Sequence, residues 1–138
     1  KGKSQRQLIA EIAKAAPGGV DMVFENVGGD ILDAAILNIA QRGRILLCGL
    51  ISEYNSPETV GARHLWNLIV RQATMFGFLV TDYIEQYDEA GRRMAQWFAE
   101  GTVKVEEDIQ SGLENAYPAF MRLFTGANTG KLILRIAE

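Results

Sequence analysis

The sequence predicts an α/β fold in which helices cover a parallel sheet. Residues 20–27 form an apolar run that leads into Gly28, residues 45–50 form one with Gly49 near its end, and a helical pattern lies between them. Runs without polar alternation are typical of strands that are buried on both faces, as in a parallel sheet. Helical and extended patterns also alternate along the whole chain, which favours the same fold class.

The first elements follow this order closely. Apolar residues at helical spacing predict a helix up to Ala16, which Pro17 and the two glycines after it end. Residues 20–27 then form the first strand. Asp30 has the side chain of a helix N-cap, so we predict a helix over residues 30–41.

A second strand, a helix and a third strand are predicted next. Gly43 marks the end of the preceding helix, and residues 45–50 form the strand. Residues 52–57 have the composition of a turn, residues 62–72 repeat apolar side chains at helical spacing, and residues 75–80 form a third apolar run. The sheet therefore has at least three strands in this interpretation.

The rest of the chain continues the alternation. The predicted elements are an amphipathic helix from Ile84 to Gly101 that covers the sheet, a half-exposed strand over 103–109, a helix over 113–123 despite Pro118, a loop over 126–130 and a strand over 131–136. The large aromatic side chains expected in the core are those of Trp66, Trp97 and Phe98.

The composition indicates one domain with a hydrophobic core. The chain has 138 residues, of which 48% are hydrophobic. No apolar run approaches the roughly 20 residues of a membrane helix. A net charge of −3 without a basic stripe argues against nucleic acid as a partner. We therefore expect neither a membrane nor a nucleic-acid partner.

The cysteine and histidine content restricts the chemistry further. One cysteine and one histidine cannot form a disulfide within the chain or supply the usual ligands of a structural zinc site. We therefore expect no metal, a structural or surface role for His64, and a cytoplasmic location. The charged first residues lack both an initiator methionine and an apolar signal core, so we expect the chain to begin within a longer protein.

Small and polar residues follow the first two predicted strands. Asn26, Gly28 and Gly29 come after the first strand, and Cys48, Gly49 and Ser52 come at or after the end of the second. Ligands of parallel sheets lie beyond the carboxyl ends of the strands. The sequence therefore predicts a cofactor site formed by these six residues.

Three motifs resemble the medium-chain dehydrogenase/reductase superfamily. They are VDMVFENVGG at residues 20–29, GRILLCGLIS at 43–52 with Tyr54 and Asn55 after it, and GANTGK at 126–131. They are most similar to the zinc-independent branch of prostaglandin, leukotriene and alkenal double-bond reductases. The motifs occur in the family's order over nearly the whole chain, which makes the resemblance more specific than any single motif.

The resemblance implies a Rossmann-type domain with NADPH as the cofactor. The residues that it places at the cofactor are Asn26, Gly28, Gly29, Cys48, Gly49, Ser52, Tyr54, Phe78, Val80 and Asn128. Cys48 and Gly49 would lie on the nicotinamide side, and the main chain at Phe78 and Val80 would hydrogen-bond the carboxamide. The hydroxyl of Tyr54 would orient the substrate carbonyl or relay a proton.

Each of these residues also has a purely structural explanation. Glycines at a strand end allow a tight turn, a lone cysteine is often a small buried side chain, and a loop tyrosine can anchor its loop by its ring. Asn128 can occupy a left-handed turn between two glycines. Residues 126–131 do not form a phosphate loop, because Thr125 replaces its first glycine and Leu132 its hydroxyl residue.

The resemblance implies reduction of the carbon–carbon double bond of α,β-unsaturated aldehydes or ketones by hydride transfer from NADPH. Quinone reduction by a relative in the same superfamily is an alternative, and a non-catalytic binding or dimerisation module is another. The family also implies a homodimer, in which the strand at 75–80 can pair with its symmetry mate.

The chain has no G-x-G-x-x-G turn, which family members use to hold the cofactor pyrophosphate. The resemblance therefore implies the C-terminal half of a dinucleotide-binding domain followed by a return segment from about residue 103 to 138, without the N-terminal catalytic domain. We expect the isolated chain to be inactive and to bind NADPH very weakly.

Overall fold

The computed structural model describes residues 2–57 and 61–137, which form two compact units. The first unit covers Lys1–Ile84 and the second covers Glu85–Glu138. Both contain parallel strands with helices beside them, so that the α/β fold class is confirmed. The described helices include none that is long and apolar enough to cross a membrane.

The first unit is a small parallel sheet covered by helices. Its elements in chain order are α1 (Gln5–Ala15), β1 (Val20–Glu25), α2 (Gly29–Leu37), β2 (Ile39–Leu47), α3 (Trp66–Arg71) and β3 (Thr74–Gly77), followed by a 3₁₀ segment (Val80–Gln86) that crosses the boundary of the unit. The sheet order is β1-β2-β3, with both pairings parallel. The three carboxyl ends therefore lie at one edge.

The core of this unit lies between α2 and the sheet. Ile36 of α2 is fully buried and packs with Ile39 and Ile45 of β2. Val23 and Met75 pack against the same cluster, and both are register partners of Ile45. One face of all three strands is thus covered by helices. On the other face, the register row of Phe24, Leu46 and Phe76 leaves both phenylalanines more than half exposed.

Local chemistry explains where α1 begins. Ser4 is its N-cap, and the side-chain oxygen of Ser4 accepts a hydrogen bond from the amide of Gln7, while Gln7 Oε1 accepts one from the amide of Ser4. This reciprocal capping box satisfies amide groups that have no partner within the helix.

The predicted boundary between α2 and β2 is wrong. The N-cap is Gly28 rather than Asp30, which lies in the first turn, and the helix ends at Leu37 rather than at residue 41. Residues 39–41 belong to β2, and Gly43 lies inside that strand. Arg42 has a φ of +61°, and the pairing with β1 is irregular there. Because of this irregularity, the start of β2 does not show the two-residue alternation of a regular strand, and the sequence does not reveal it as a strand.

The other predicted elements of this unit are shorter in the structure. β1 ends at Glu25 rather than at residue 27, α3 begins at Trp66 rather than at residue 62, and β3 ends at Gly77 rather than at residue 80. Trp66 is 73% exposed, because the short helix α3 packs Leu68 against the core instead. The prediction of Trp66 as a core residue is therefore wrong.

A buried carboxylate joins three segments of the first unit. Asp33 of α2 is 1% exposed and accepts hydrogen bonds from the amide and Nε of Arg63, at 2.9 and 2.5 Å, and from the side chain of Gln5 at 3.2 Å. Arg63 also pairs with Asp30. The bond to Asp33, followed by that to Asp30, raises the pKa of the Arg63 guanidinium. The network fixes α1 and the segment before α3 to α2.

The second unit has its own pair of strands. Its elements are α4 (Tyr87–Ala99), β4 (Glu107–Ser111), a 3₁₀ turn (Leu113–Asn115), α5 (Ala116–Thr125) and β5 (Lys131–Arg135), and β4 pairs with β5 in parallel. β4 begins four residues later than the predicted start at 103. Pro118 lies in the first turn of α5, where its missing amide hydrogen costs little, so the helix forms as predicted.

Apolar side chains of α4 are exposed rather than buried. Trp97 is 41% exposed and Phe98 is 62% exposed, so their prediction as core residues is also wrong. The helix has the amphipathic pattern, but the described residues of its own unit leave its apolar side uncovered. Amphipathic periodicity predicts the helix correctly without showing what packs on it.

The carboxylate of Asp108 joins three segments of the second unit by hydrogen bonds. It accepts hydrogen bonds from Arg122 at 2.6 Å, from the side chain of Gln110 at 2.6 Å and from the amide of Thr129 at 3.2 Å. These bonds, that of Arg122 above all, lower the pKa of Asp108. Asp108 thus ties β4 to α5 and to the loop before β5.

Candidate functional site

The carboxyl ends of β1 and β2 are held together by main-chain hydrogen bonds. The amide of Ile51 donates to the carbonyl oxygen of Asn26 at 3.0 Å, and the amide of Ser52 donates to that of Val27 at 2.9 Å. The loop after β2 therefore folds back onto the turn after β1. This arrangement brings together the predicted site residues of both strands.

The glycines of the first turn meet this loop closely. Gly28 has a φ of +82°, and a Cβ atom there would lie 3.1 Å from both Leu50 Cδ2 and Ser52 Oγ. Gly29 has a φ of +52°, and its Cβ would lie 3.3 Å from Ser52 Oγ. The prediction that these glycines form a tight turn is confirmed. Their contact with a cofactor stays a prediction.

A cleft of about 480 Å³ opens at the ends of β2 and β3. Its lining includes Cys48, Gly49, Tyr54, Phe78, Leu79 and Asp82. The cleft surface is mostly apolar, and the described residues that line it include no lysine or arginine. A cleft of this kind suits an uncharged ring better than a phosphate group.

Tyr54 and Gly49 are in close contact at the mouth of this cleft. The hydroxyl oxygen of Tyr54 accepts a hydrogen bond from the amide of Leu50 at 3.3 Å, so its own hydrogen is available for donation to a ligand. A Cβ atom on Gly49 would lie 2.9 Å from that hydroxyl and 3.5 Å from Asn26 Oδ1. The bare backbone of Gly49 thus makes room for both side chains.

Phe78 extends the edge of β3 into the cleft. Its amide donates to the carbonyl of Leu47 at 3.2 Å, and its ring makes edge-to-face contacts with Phe24 and Tyr83, both at 5.9 Å between centroids. The ring is therefore fixed from two sides. Val80 lies in the 3₁₀ segment, is 56% exposed and does not line the cleft. The contact of its main chain with the carboxamide stays a prediction. Leu79 is also exposed and lies beyond the end of β3.

Asn128 lies in the second unit, in the loop before β5. Its side-chain amide donates to the carbonyl of Gly130 at 3.0 Å. The left-handed conformations of this loop belong to Gly126 and Gly130, so the prediction of such a conformation for Asn128 is wrong. The proposed cofactor contact of Asn128 stays a prediction.

Sequence analysis missed two residues near the strand ends. Asp82 lines the cleft from the 3₁₀ segment, and no motif indicates it. Glu25 is 2% exposed, and one of its carboxylate oxygens accepts hydrogen bonds from the amides of Val27 and Gly28 at 2.6 and 2.7 Å. A charged residue as the last inward position of an apolar strand is a signal that could have identified Glu25.

Metal ligation is not supported by any cluster in the described part of the chain. The residues there include no group of three or more histidine, cysteine, aspartate or glutamate side chains placed to hold a metal ion. His64 is partly buried beside Arg63, and its carbonyl accepts a hydrogen bond from the amide of Asn67 at 2.9 Å.

Curated relatives align with nearly all of this chain. The aligned region is less than half of each relative's own length. The NADP(+)-dependent 2-alkenal reductase of Nicotiana tabacum is 39% identical over 136 residues, which are 99% of this chain and 40% of the relative. The (+)-pulegone reductase of Mentha piperita is 37% identical over the same shares. The chain thus spans about 40% of the length of these relatives.

Solved structures show the same relationship. CurA of Vibrio vulnificus in complex with NADPH has a TM-score of 0.82 and 34% identity, and the match covers 100% of this chain and 42% of that one. A quinone oxidoreductase of Pseudomonas syringae pv. Tomato has a TM-score of 0.68 at 19% identity over 92% of this chain and 39% of that one, which shows the fold alone.

A family model described as zinc-binding dehydrogenase matches residues 4–134. The match covers the motifs of both units, in agreement with the resemblance identified from the sequence. The chain belongs to this family, within the zinc-independent branch of the medium-chain dehydrogenase/reductase superfamily to which the 2-alkenal and pulegone reductases belong.

Proposed function

We propose that this chain is part of an NADPH-dependent reductase that acts on the carbon–carbon double bond of α,β-unsaturated aldehydes or ketones. The observation that carries the proposal is the cleft at the ends of β2 and β3, where the Tyr54 hydroxyl lies beside the bare backbone of Gly49. The activities for which the tobacco and mint relatives are named support it, as does the NADPH complex of the Vibrio protein.

The cleft fits the nicotinamide end of the cofactor. Its apolar walls and the small residues Cys48 and Gly49 give a flat ring close access to the strand ends. The amide of Asn26 and the hydroxyl of Ser52 are neutral groups that can bond ribose hydroxyls without repelling phosphate. No cation lines the described cleft, so we propose that the phosphates bind to residues outside it.

Bound NADPH would supply a hydride to the β carbon of the unsaturated substrate. The task of the chain is to position the cofactor ring and to polarise the substrate. In this proposal the Tyr54 hydroxyl, whose hydrogen is available because its oxygen accepts from the Leu50 amide, would donate a hydrogen bond to the carbonyl oxygen, where negative charge develops as the hydride arrives. Water or Tyr54 would then protonate the α carbon.

The domain organisation that we propose is based on the fraction of each relative's length that aligns with this chain, about 40%. We propose that it supplies the C-terminal half of the dinucleotide-binding domain and a return segment over about 103–138, and that other residues supply the pyrophosphate turn and most of the substrate pocket. On its own the chain would then be inactive. The proposal of a homodimer rests on the family resemblance alone. The proposal of a cytoplasmic location rests on the presence of a single cysteine.

The direct test is an assay of NADPH oxidation by the complete gene product. We expect oxidation with enals and enones, and none with the corresponding saturated ketones, which lack the reducible bond. Oxidation with quinones alone would favour the quinone reductase alternative. Absence of both oxidation and NADPH binding would contradict the reductase proposal and favour a non-catalytic module.

Replacing Tyr54 by phenylalanine tests the role of its hydroxyl. We expect turnover of the complete gene product to fall on the order of 100-fold, because a donor to the developing charge is lost. NADPH affinity should change by less than about twofold, since the ring remains and the side chain is 67% exposed. Steady-state kinetics and a fluorescence titration of NADPH separate the two effects.

Tyr117 provides the matched control for this variant. It is 72% exposed on α5, so Tyr117→Phe removes an equally accessible hydroxyl from outside the cleft. We expect turnover to stay at the wild-type value. Equal turnover of Tyr54→Phe and Tyr117→Phe would remove the Tyr54 hydroxyl from the mechanism.

A further inference from the structure

Glu25 is a buried acid at the point where the site begins. It is the last residue of β1 and is 2% exposed. Alternation along the strand places it on the inward face with Val23, next to the apolar core cluster. Burial of a carboxylate is costly unless hydrogen bonds compensate for the lost water. A hydrophobic residue would suit this face better if burial were the only requirement.

The side chain of Glu25 bonds to the turn that follows it. One oxygen, Oε1, accepts from the amides of both Val27 and Gly28, at 2.6 and 2.7 Å. These short bonds to a carboxylate are of the strong, charge-assisted kind. They stop β1 two residues before the apolar run ends and turn the chain so that Gly28 can cap α2.

The main chain of the same turn holds the end of β2 and the loop after it. The carbonyl of Glu25 accepts from the amides of Cys48 and Gly49, at 2.9 and 3.2 Å. The next two carbonyls, of Asn26 and Val27, accept from the amides of Ile51 and Ser52. The orientation of these three consecutive carbonyls depends on how the turn is bent.

We propose that Glu25 is a positioning residue whose buried carboxylate fixes this turn and, through it, sets the placement of Cys48, Gly49 and Ser52 for cofactor binding. The proposal rests on the proposed function for its link to NADPH. It goes beyond that function because Glu25 does not line the cleft and acts only through the residues that it orients.

The test uses two substitutions at Glu25 in the complete gene product. Glu25→Gln keeps an Oε1 that can accept both amide hydrogens, whereas Glu25→Leu keeps the approximate size and removes the acceptor. We expect Leu to weaken NADPH binding by at least about tenfold and Gln by less than about threefold, as measured by fluorescence titration. Rescue by Gln is a result that loss of general stability would not give.

Asp33→Asn is the matched control. Asp33 is as deeply buried as Glu25 and also accepts several hydrogen bonds, but its partners lie on α1 and before α3. We expect this variant to lower the midpoint of thermal unfolding and to leave the NADPH dissociation constant unchanged. Equal loss of NADPH affinity in Asp33→Asn and Glu25→Leu would show a stability effect and would overturn the proposal.

Amide hydrogen exchange tests the geometry without cofactor or activity. In Glu25→Leu, exchange should accelerate at Val27, Gly28, Ile51 and Ser52, and should stay unchanged within β3. If Glu25→Leu does not fold, the Gln variant is used, in which the weaker neutral acceptor should accelerate exchange at Val27 and Gly28 by several fold.

Three outcomes contradict the proposal. They are an unchanged NADPH affinity in Glu25→Leu, an unchanged exchange rate at Val27 and Gly28, and an equal loss of NADPH affinity in the Leu and Gln variants. If the wild-type protein does not bind NADPH, the proposed function fails, and the exchange measurement alone then decides whether Glu25 fixes the turn.

Discussion

Replacing Gly19 by alanine is expected to destabilise the protein by about 2 to 6 kcal/mol. Gly19 has a φ of +90°, and a Cβ there would lie 2.7 Å from Cα and 2.8 Å from N of Ala40. Backbone strain and overpacking each contribute about 1 to 3 kcal/mol. Both contacted atoms belong to the main chain of β2, which cannot move without disturbing its pairing with β1. Urea unfolding followed by circular dichroism measures the loss.

The adjacent residue is the control for this prediction. Gly18 has no positive φ, and a Cβ there would meet nothing within 4 Å. Gly18→Ala should therefore change the free energy of unfolding by less than about 1 kcal/mol, with a small gain from the stiffer unfolded chain. Similar unfolding midpoints for the two variants would show that Gly19 does not fix the approach of β1 to β2.

Truncation of Ile36 is expected to cost about 2 to 5 kcal/mol. The side chain is fully buried between α2 and the sheet, where it packs with Ile39 and Ile45. Ile36→Ala leaves a cavity between rigid elements that can close only in part. The free energy of unfolding from urea denaturation should fall by this amount relative to the wild-type protein.

Ile31 of the same helix provides the comparison. It is 42% exposed, so Ile31→Ala should cost less than about 1 kcal/mol. Because both variants carry the same change in helix propensity, the difference between them measures burial alone. If Ile31→Ala cost as much as Ile36→Ala, the core would not lie where the structure places it.

The order of elements and the convergence of the strand ends were predictable from the sequence. Apolar runs that lead into glycine identify β1 and β2, and a parallel sheet brings their ends together whatever the details of the loops. That rule alone places Asn26, Gly28, Cys48 and Gly49 near one another. It does not require a boundary accurate to one residue.

The errors arise where contacts with residues a few positions away override the signal of a single residue. Gly43 resembles the end of a helix, yet it lies within β2, where a Cβ would meet Ile39 Cγ1 at 2.7 Å. Asp30 resembles an N-cap, but the bonds from Glu25 to the turn have already set the start of α2 at Gly29. Neither partner is adjacent in sequence to the residue that was misread.

The exposed aromatic residues show a second limit of sequence analysis. Hydrophobicity predicts that Trp66 and Phe98 are covered, but it does not say by what. Within the units that the structure describes, both are more than half exposed. Asp108 shows the reverse case, since its neighbouring acids suggest solvent while Arg122 and Thr129 enclose it.

The sheet order β1-β2-β3 has a consequence for synthesis on the ribosome. Val20 of β1 pairs with Ile39, and Ile45 of β2 pairs with Met75, so that each strand joins the one made just before it. Loop closure over such moderate separations carries a modest entropic cost. When β2 and β3 emerge, each therefore has its partner already available, and these three strands can pair in the order of translation.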